Sequence, residues 1–592
     1  MTASREALFG VTASVTGRAW ALSEAPDDLV AAIVRATGCN DALARLMAAR
    51  GIGVEEASGF LSPRLRDSFP DPSSFKGMDD AARAVWDAVE AGTRIAVFAD
   101  YDVDGASSGA QLVRWLRAVG EEPLTYVPDR IEEGYGPSAE AFASLQAAGA
   151  GLVVTVDCGA AAHSALESAA GMGLPVVVID HHLMDGAPPP ALALVNPNQP
   201  GDTSGCGHMA AAGVTLVFLA ALNREGRARG AFKSGEPDIL AMTDLAALGT
   251  VCDVVPLTGP NRAIVTQGLK VMSGWQKAGL AALAEVSGLS GPASPYHAGF
   301  LLGPRINAGG RVGVAGLGLE LLSSDDPVRV REIALELDRL NAERKAIEDA
   351  VLTAALEDIE SGRIDASGPV IVLAGEGWHP GVIGIAAGRI KDQFNRPTIV
   401  IGVENGVGKG SGRSCPGVHL GNAILAARES GLLEKGGGHA MAAGLTVDAD
   451  RIDALRQFLT ERLAPEWAAA DEARTLRLDG IVHPAAVDFD FGESLKQAAP
   501  FGMGNPEPRF ALSDLHIRFV KEVGTGHLRF TFEAGTGAQV SGIAFRALGK
   551  PLGDALMAGR DRKWHVAGRI KAEDNRFGRK AELHLEDMAA AG

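Results

Sequence analysis

Four short segments carry residues whose types and spacing could do chemistry together. ADYDVDGAS (99–107) places Asp100, Asp102 and Asp104 at a spacing of two. VDCGA (156–160) brings Asp157, and IDHHL (179–183) brings Asp180, His181 and His182. LGTVCDVVPL (248–257) adds Asp253 in an apolar helix-to-loop stretch. Carboxylates gathered in one place repel each other and hold protons unless a cation joins them. Mixed carboxylate and imidazole donors suit Mn²⁺. Mg²⁺ prefers oxygen ligands and water, and ligand type alone leaves Zn²⁺ open. Two such cations ~3.5–4 Å apart are a recurring device for phosphoester hydrolysis. Any one aspartate taken alone is equally well explained as a helix cap or turn residue. Two adjacent histidines directly after an apolar strand and an aspartate are not, because burying unpartnered polar groups costs ~1–3 kcal/mol each.

The elements around these segments explain how they would meet. RIAVFAD (94–100), LVVTVD (152–157) and LPVVVID (174–180) are apolar, β-branched runs, each ending in Asp. Helical stretches such as GAQLVRWLRAVG (109–120) separate them. Strands alternating with helices predict a parallel sheet covered on both faces, with ligands beyond the carboxyl ends of its strands. Residues 327–361 hold no Gly or internal Pro and alternate charge with Leu, Ile and Ala, which predicts one long helix. A second α/β pattern follows in PVIVLAG (369–375), GVIGIAAGRI (381–390) and RPTIVIG (396–402). From about 475 short strands predominate, predicting a small β-barrel or sandwich. The expected divisions are an N-terminal helical and irregular segment (1–80), a catalytic domain (81–326), the connecting helix (327–361), a substrate-binding α/β domain (362–470) and a β-domain (471–592).

D-x-D-x-D-G after a strand, V-D-C-G, I-D-H-H and C-D-V-V-P-L, in that order, resemble the DHH phosphoesterase superfamily. KGGGHAMAAG (435–444) resembles the glycine-rich signature of its DHH-associated domain. GPRINAGGR (303–311), GWHPGVIGIAAGRI (377–390), GYGPS (134–138) and PFGMGNPEPRF (500–510) are similar to the family of single-strand-specific 5′→3′ DNA exonucleases within it. By motif position the resemblance makes Asp100, Asp102, Asp104, Asp157, His181 and Asp253 metal ligands, with Asp157 bridging two Mn²⁺ or Mg²⁺ ions. Asp157, Asp180, His181 and His182 form the implied catalytic set, with Asp180 and His182 supporting the centre or facing substrate. Phe98 stands where related pyrophosphatases carry a ligating His, which passes that role to Asp100. Arg305, Asn307, Arg311, Ser411, Arg413, Gly437, Gly438 and His439 are the implied substrate-binding residues. The resemblance also implies an α/β fold of a DHH domain and a DHH-associated domain joined by the long helix, followed by an oligonucleotide-binding barrel.

That barrel interleaves Arg518, Lys521, Arg529, Arg546, Arg569 and Lys571 with Phe519, Phe530, Phe532, Phe545 and Trp564, which suits stacking and backbone contact with single strands. Aromatics in the core with solvated arginines outside is the plainer alternative. The implied activity is 5′→3′ exonuclease action on single-stranded DNA in recombination and repair, releasing 5′-mononucleotides. The implied partners are a single-strand-binding protein and a RecQ-type helicase, with the chain itself a monomer. A short-oligonucleotide or cyclic-dinucleotide phosphodiesterase and an inactive DNA-binding scaffold are the competing readings.

The net charge of −18 over 592 residues argues against a DNA-coating protein but says little about one groove. Five scattered cysteines without a C-x-x-C pair argue against a disulfide framework or zinc ribbon. The N-terminal stretch lacks a charged segment followed by a long apolar core, and no run suits a bilayer, so a cytoplasmic location is expected.

Overall fold

The computed structural model describes residues 7–184, 186–233, 235–472, 474–575 and 578–591. They form two compact units, residues 68–472 and residues 7–67 together with 474–591. Among the described residues no helix is long and apolar enough to cross a membrane.

The larger unit begins with a five-stranded, all-parallel sheet. Its strands are β1 (Ile95–Ala99), β2 (Leu124–Tyr126), β3 (Leu152–Val156), β4 (Val176–Ile179) and β5 (Ala193–Val195), in the spatial order β2-β1-β3-β4-β5. Every residue of β1, β3, β4 and β5 is buried, which is why these strands read as unbroken apolar runs. Helices Ala139–Ala147 and His163–Gly171 cover one face through Phe142, Leu145 and Leu166. Helices α1 (Val103–Ala118) and α2 (Ala211–Arg229) also pack on these strands. Two further helices frame the sheet's carboxyl edge: α3 (Thr243–Cys252), capped by Asp253, and α4 (Gly303–Val312).

The long connector α5 spans Pro327–Glu360. It starts where Asp326 accepts from the backbone N–H groups of Val328 and Arg329, with Pro327 at the first helical position. Its fully buried Glu348 takes Arg344 at 2.6 Å and Arg389 at 2.5 Å. Arg389 belongs to α6 (Pro380–Phe394), so this pair of contacts fixes the second α/β layer on the connector. That layer is a mixed sheet of β6 (Ile371–Glu376), β7 (Thr398–Glu404), β8 (Val407–Arg413), β9 (Lys435–Gly438) and β10 (Ala442–Asp448), ordered β9-β10-β8-β7-β6. Only β6 and β7 run parallel. The Gly-rich segment at 435–438 is thus an edge strand.

The smaller unit is built on a closed barrel of β11 (Phe510–Val523), β12 (His527–Ala534), β13 (Gln539–Ala544), β14 (Lys563–Asn575) and β15 (Gly578–Ala590). Each strand pairs with the next around the ring β11-β12-β13-β15-β14, and β14 closes onto β11. This matches the five-stranded Greek-key barrels that bind oligonucleotides. Phe530, Phe532 and Trp564 lie in its core, so the plainer reading holds for them, whereas Phe519 and Phe545 are exposed. Several of its basic residues are also engaged: Arg518 with Glu533, Arg529 with Glu582, Arg569 with Glu586 and Lys571 with Glu507.

The N-terminal residues belong to this unit rather than forming a separate segment to residue 80. Strand Ala19–Leu22 pairs in parallel with Thr475–Leu478. Fully buried Asp587 accepts from Ser14 Oγ (2.7 Å) and Trp20 Nε1 (3.0 Å), and pairs with Arg18 (3.3 Å). Removing one member of a buried network leaves the others unpaired, at a cost of about 3 kcal/mol. Asp587→Ala should therefore lower the unfolding free energy of this unit by about that amount in urea titrations. A change of only a few tenths would contradict the anchoring role.

Candidate metal centre and substrate pocket

All four chemistry-bearing segments meet at the carboxyl edge of the parallel sheet. Asp100 and Asp157 follow β1 and β3, and Asp180, His181 and His182 follow β4. Asp102 caps α1, with one carboxylate oxygen accepting from the N–H groups of Asp104 (2.8 Å) and Gly105 (3.1 Å). Gly105 is required there, since a Cβ would lie 2.4 Å from the Asp100 carbonyl oxygen. Asp104, 1% exposed, accepts from Ala211 N (2.7 Å) and Ala212 N (2.9 Å) at the start of α2. Asp157 sits at φ 61°, a left-handed conformation uncommon outside Gly, Asn and Asp.

The donors fall into three overlapping groups. Asp100, Asp102 and Asp157 form one, Asp104, His181 and Asp253 another, and Asp157, His181 and His182 a third that joins them, with donor atoms in each within 4.8 Å of one another. Asp157 Oδ1 lies 3.3 Å from His181 Nε2, so it stands at the junction of the first two. His181 Nε2 is also 3.7 Å from Asp253 and 3.9 Å from Asp104. The opposite ring nitrogen donates to Met209 O at 3.0 Å, which leaves a lone pair on Nε2 facing carboxylates. Asp100 Oδ1, Asp157 Oδ1 and His181 Nε2 are buried with no hydrogen-bond partner.

Without a cation this arrangement is electrostatically costly. Burial, then neighbouring carboxylates, raise Asp100 to about 8 and Asp253 to about 7, and push Asp104 and Asp157 well above the usual carboxylate range. Burial lowers His181 to about 4, so it is a neutral donor. A divalent cation resolves both the orphaned lone pairs and the repulsion, and the donor set fits one. The buried Phe98, stacked on Tyr126 at 5.2 Å, takes no part; Asp100 supplies the donor at that strand end.

Asp180 behaves differently from the ligands. Its Oδ1 accepts from His182 Nδ1 at 2.7 Å and from the N–H groups of His181 (2.7 Å) and His182 (3.2 Å), while Oδ2 accepts from Ala160 N at 2.9 Å. Burial opposes its ionisation, but these hydrogen bonds, His182 foremost, bring it down to about 2. It orients the histidine pair. The Tyr135 hydroxyl reaches the Asp157 carbonyl oxygen and His182 Nδ1, both at 3.0 Å.

A cavity of about 310 Å³ opens over the donors, lined among others by Tyr101, Arg130, Tyr135, Asn307 and Arg311. Burial, with help from the charges of Arg130, Arg344 and Arg413, lowers Arg311 to about 10. Burial and Arg130 likewise lower Arg413. Arg130 and Arg311 share this cavity, Arg413 lies within electrostatic reach of both, and among the described residues none of the three is in an ion pair. Arg311 donates to Gly381 O (3.0 Å), and Arg413 donates to Ser411 Oγ (3.2 Å) and Gly412 O (2.8 Å). The Arg130 guanidinium lies 5.0 Å from the centre of the Tyr101 ring. A second cavity, about 770 Å³, lies beyond Tyr135 and His182, and His439 and Leu183 line it.

Not every expected residue joins the site. GPRINAGGR is a largely buried helix, and Arg305 turns away to bind Asp338 of the connector (2.8 Å) and Leu301 O (2.8 Å). Gly438 is committed to packing, since a Cβ there would meet Ala442 O at 2.4 Å, whereas Gly437 faces open space. Conversely, the sequence gives no warning of Arg130. It is a lone basic residue in a turn, and only the convergence of three arginines marks it.

These features define a class, the DHH-type phosphoesterases with their companion substrate-binding domain. The DHH family N-terminal domain matches residues 94–250, the DHHA1 domain residues 367–464 and the RecJ OB domain residues 478–587. The chain is 37% identical over 553 residues to the single-stranded-DNA-specific exonuclease RecJ of Dickeya dadantii, covering 91% of this chain and 93% of that one. It is 34% identical over 508 residues to the Bacillus subtilis RecJ, covering 85% of this chain and 63% of that relative's length. The crystal structure of Thermus thermophilus RecJ in complex with Mn²⁺ superposes with a TM-score of 0.79 at 30% identity, covering 96% of this chain and 78% of that one. The chain belongs to the RecJ family.

Proposed function

We propose that this chain is a single-stranded-DNA-specific exonuclease that removes nucleotides from the 5′ end and releases 5′-mononucleotides. The observation that carries this reading is the pair of donor groups joined at Asp157, set beside three unpaired arginines. Two Mn²⁺ ions, or Mg²⁺ in their place, held by Asp100, Asp102, Asp157, Asp104, His181 and Asp253, would supply an activated water and charge stabilisation at phosphorus. Arg130, Arg311 and Arg413, with Ser411, grip a terminal 5′-phosphate. Asn307 and Gly437 meet the sugar–phosphate backbone. His182, fixed through Nδ1 by Asp180, can donate from Nε2 to the departing 3′ oxygen of the terminal nucleotide. Cleavage on that side leaves a new 5′-phosphate on the shortened strand, which is the group the arginine pocket requires for the next turnover. His439 serves the same path from the second cavity. A monomer acting with a single-strand-binding protein and a RecQ-type helicase in recombination and repair completes this reading.

The test is digestion of a single strand and of a blunt duplex of the same sequence with Mn²⁺. Mononucleotides should accumulate from the single strand alone and stop on adding chelator. Equal digestion of the duplex, or dinucleotide-only activity, would overturn the substrate assignment.

A further inference from the structure

Tyr296 and Phe300 are among the most exposed large side chains of the chain, at 61% and 70%. Their rings stack on each other, 5.2 Å apart and 22° from parallel. A stacked pair of rings held in water is a costly surface unless something covers it. Phe300 stands on one turn of π-helix, His297–Leu302, which runs straight into α4, and Tyr296 is the residue just before that turn. Such turns often mark functional positions within helices.

The placement of the pair narrows what could cover it. Asn307 and Arg311 are separated by four residues and share one face of α4, and Phe300 lies three residues before that helix begins. Asn307 and Arg311 line the cavity over the metal donors. The other side of the turn packs against α3, where a Cβ on Gly303 would meet Cys252 Sγ at 2.5 Å and one on Gly299 would meet Val251 at 3.5 Å. Cys252 precedes Asp253, so the aromatic pair rises from the rim next to a metal donor. Val254 lies beside that donor, 59% exposed and at φ 60°. Cys252 and Asp253 line the cavity over the donors, so the turn that carries Phe300 packs against the cavity's own wall.

We infer that Tyr296 and Phe300 form a stacking platform for an unpaired base of the substrate strand, outside the catalytic cavity. Flat rings offer every base a face and read no sequence, which suits a strand that must advance. Paired bases already stacked within a duplex could not lie on it, so the platform adds to strand selectivity. This inference rests on the single-strand nuclease reading.

The experiment measures binding of the full chain, with Ca²⁺ in place of catalytic metal, to a 5′-phosphorylated oligothymidylate and to an abasic strand of equal length. The wild type should prefer the base-bearing strand. The double variant Tyr296→Ala, Phe300→Ala should lose about 10-fold in that preference, while Tyr296→Phe with Phe300→Tyr should keep it. A 2-aminopurine walked along the strand should be quenched in the wild type and recover in the alanine variant at one position. Undiminished preference in the alanine variant would overturn the platform and leave the nuclease reading standing. A wild type that binds neither strand would overturn both.

Discussion

Asp157→Ala should abolish hydrolysis and, at the same time, leave the metal-free protein no less stable than the wild type. Asp157 is the one carboxylate that joins the Asp100 and Asp102 group to His181, so its loss separates the two donor groups. Loss of a residue one step removed from a ligand already costs ~10–100-fold in metal affinity or activity, and the loss of the shared donor should exceed that. Stability should respond in the opposite sense. Asp157 is buried with Oδ1 unpartnered, and its neighbours' charges push against its ionisation. Removing it from the cation-free protein relieves repulsion. Thermal melts in chelator should therefore show an equal or higher midpoint for Asp157→Ala, and added Mn²⁺ should raise the wild type but barely move the variant. A variant that keeps more than a few per cent of the wild-type rate, or a full Mn²⁺-induced shift, would contradict a centre organised on this residue.

Arg413→Ala should remove much of the enzyme's preference for a 5′-phosphorylated end. Arg413 is half-buried, bonded to Ser411 and Gly412, and close enough to Arg130 for the two charges to disfavour each other. A dianionic phosphate would relieve that repulsion through charge-assisted hydrogen bonds worth ~1.5–3 kcal/mol each, roughly 10- to 100-fold in affinity. The check compares KM for 5′-phosphate and 5′-hydroxyl strands. The wild type should favour the phosphate, and Arg413→Ala and Arg130→Ala should both lose that discrimination while still binding Mn²⁺. Arg305→Ala should not, because its guanidinium is held by Asp338 and Leu301. Discrimination equal to wild type in the Arg413 variant would remove the arginine pocket as the source of polarity.

The contrast between Arg305 and Arg130 shows where sequence reading runs out. The clustering of the aspartates was legible because buried parallel strands leave unbroken apolar runs, and Asp at the end of each run lands on one sheet edge. The connector was legible for a similar reason: nothing in residues 327–360 breaks a helix. Arg305 lay in a motif with Asn307 and Arg311, yet it stands two and six residues from them, on the opposite face of the helix, and its partner Asp338 lies on the connector. Arg130 had no motif at all. Gly437 and Gly438 in the run at 435–438 were expected to bind substrate, but backbone pairing with β10 uses most of that run. In the barrel, strand alternation puts Phe530 and Phe532 inside, and one-sequence reading could not tell which face of each strand was wet. The pairing of Ala19–Leu22 with Thr475–Leu478 joins segments more than 400 residues apart, a contact that no local pattern announces.

The central claim is direction of attack, and a strand labelled at one end or the other tests it most directly. With Mn²⁺ and limiting enzyme, a 5′-labelled single strand should yield labelled mononucleotide from the earliest time point, with no labelled fragments of intermediate length. The same strand labelled at its 3′ end should shorten while keeping its label until the last nucleotides. Immediate release of the 3′ label as mononucleotide, with the 5′ label retained on shortening fragments, would contradict the account.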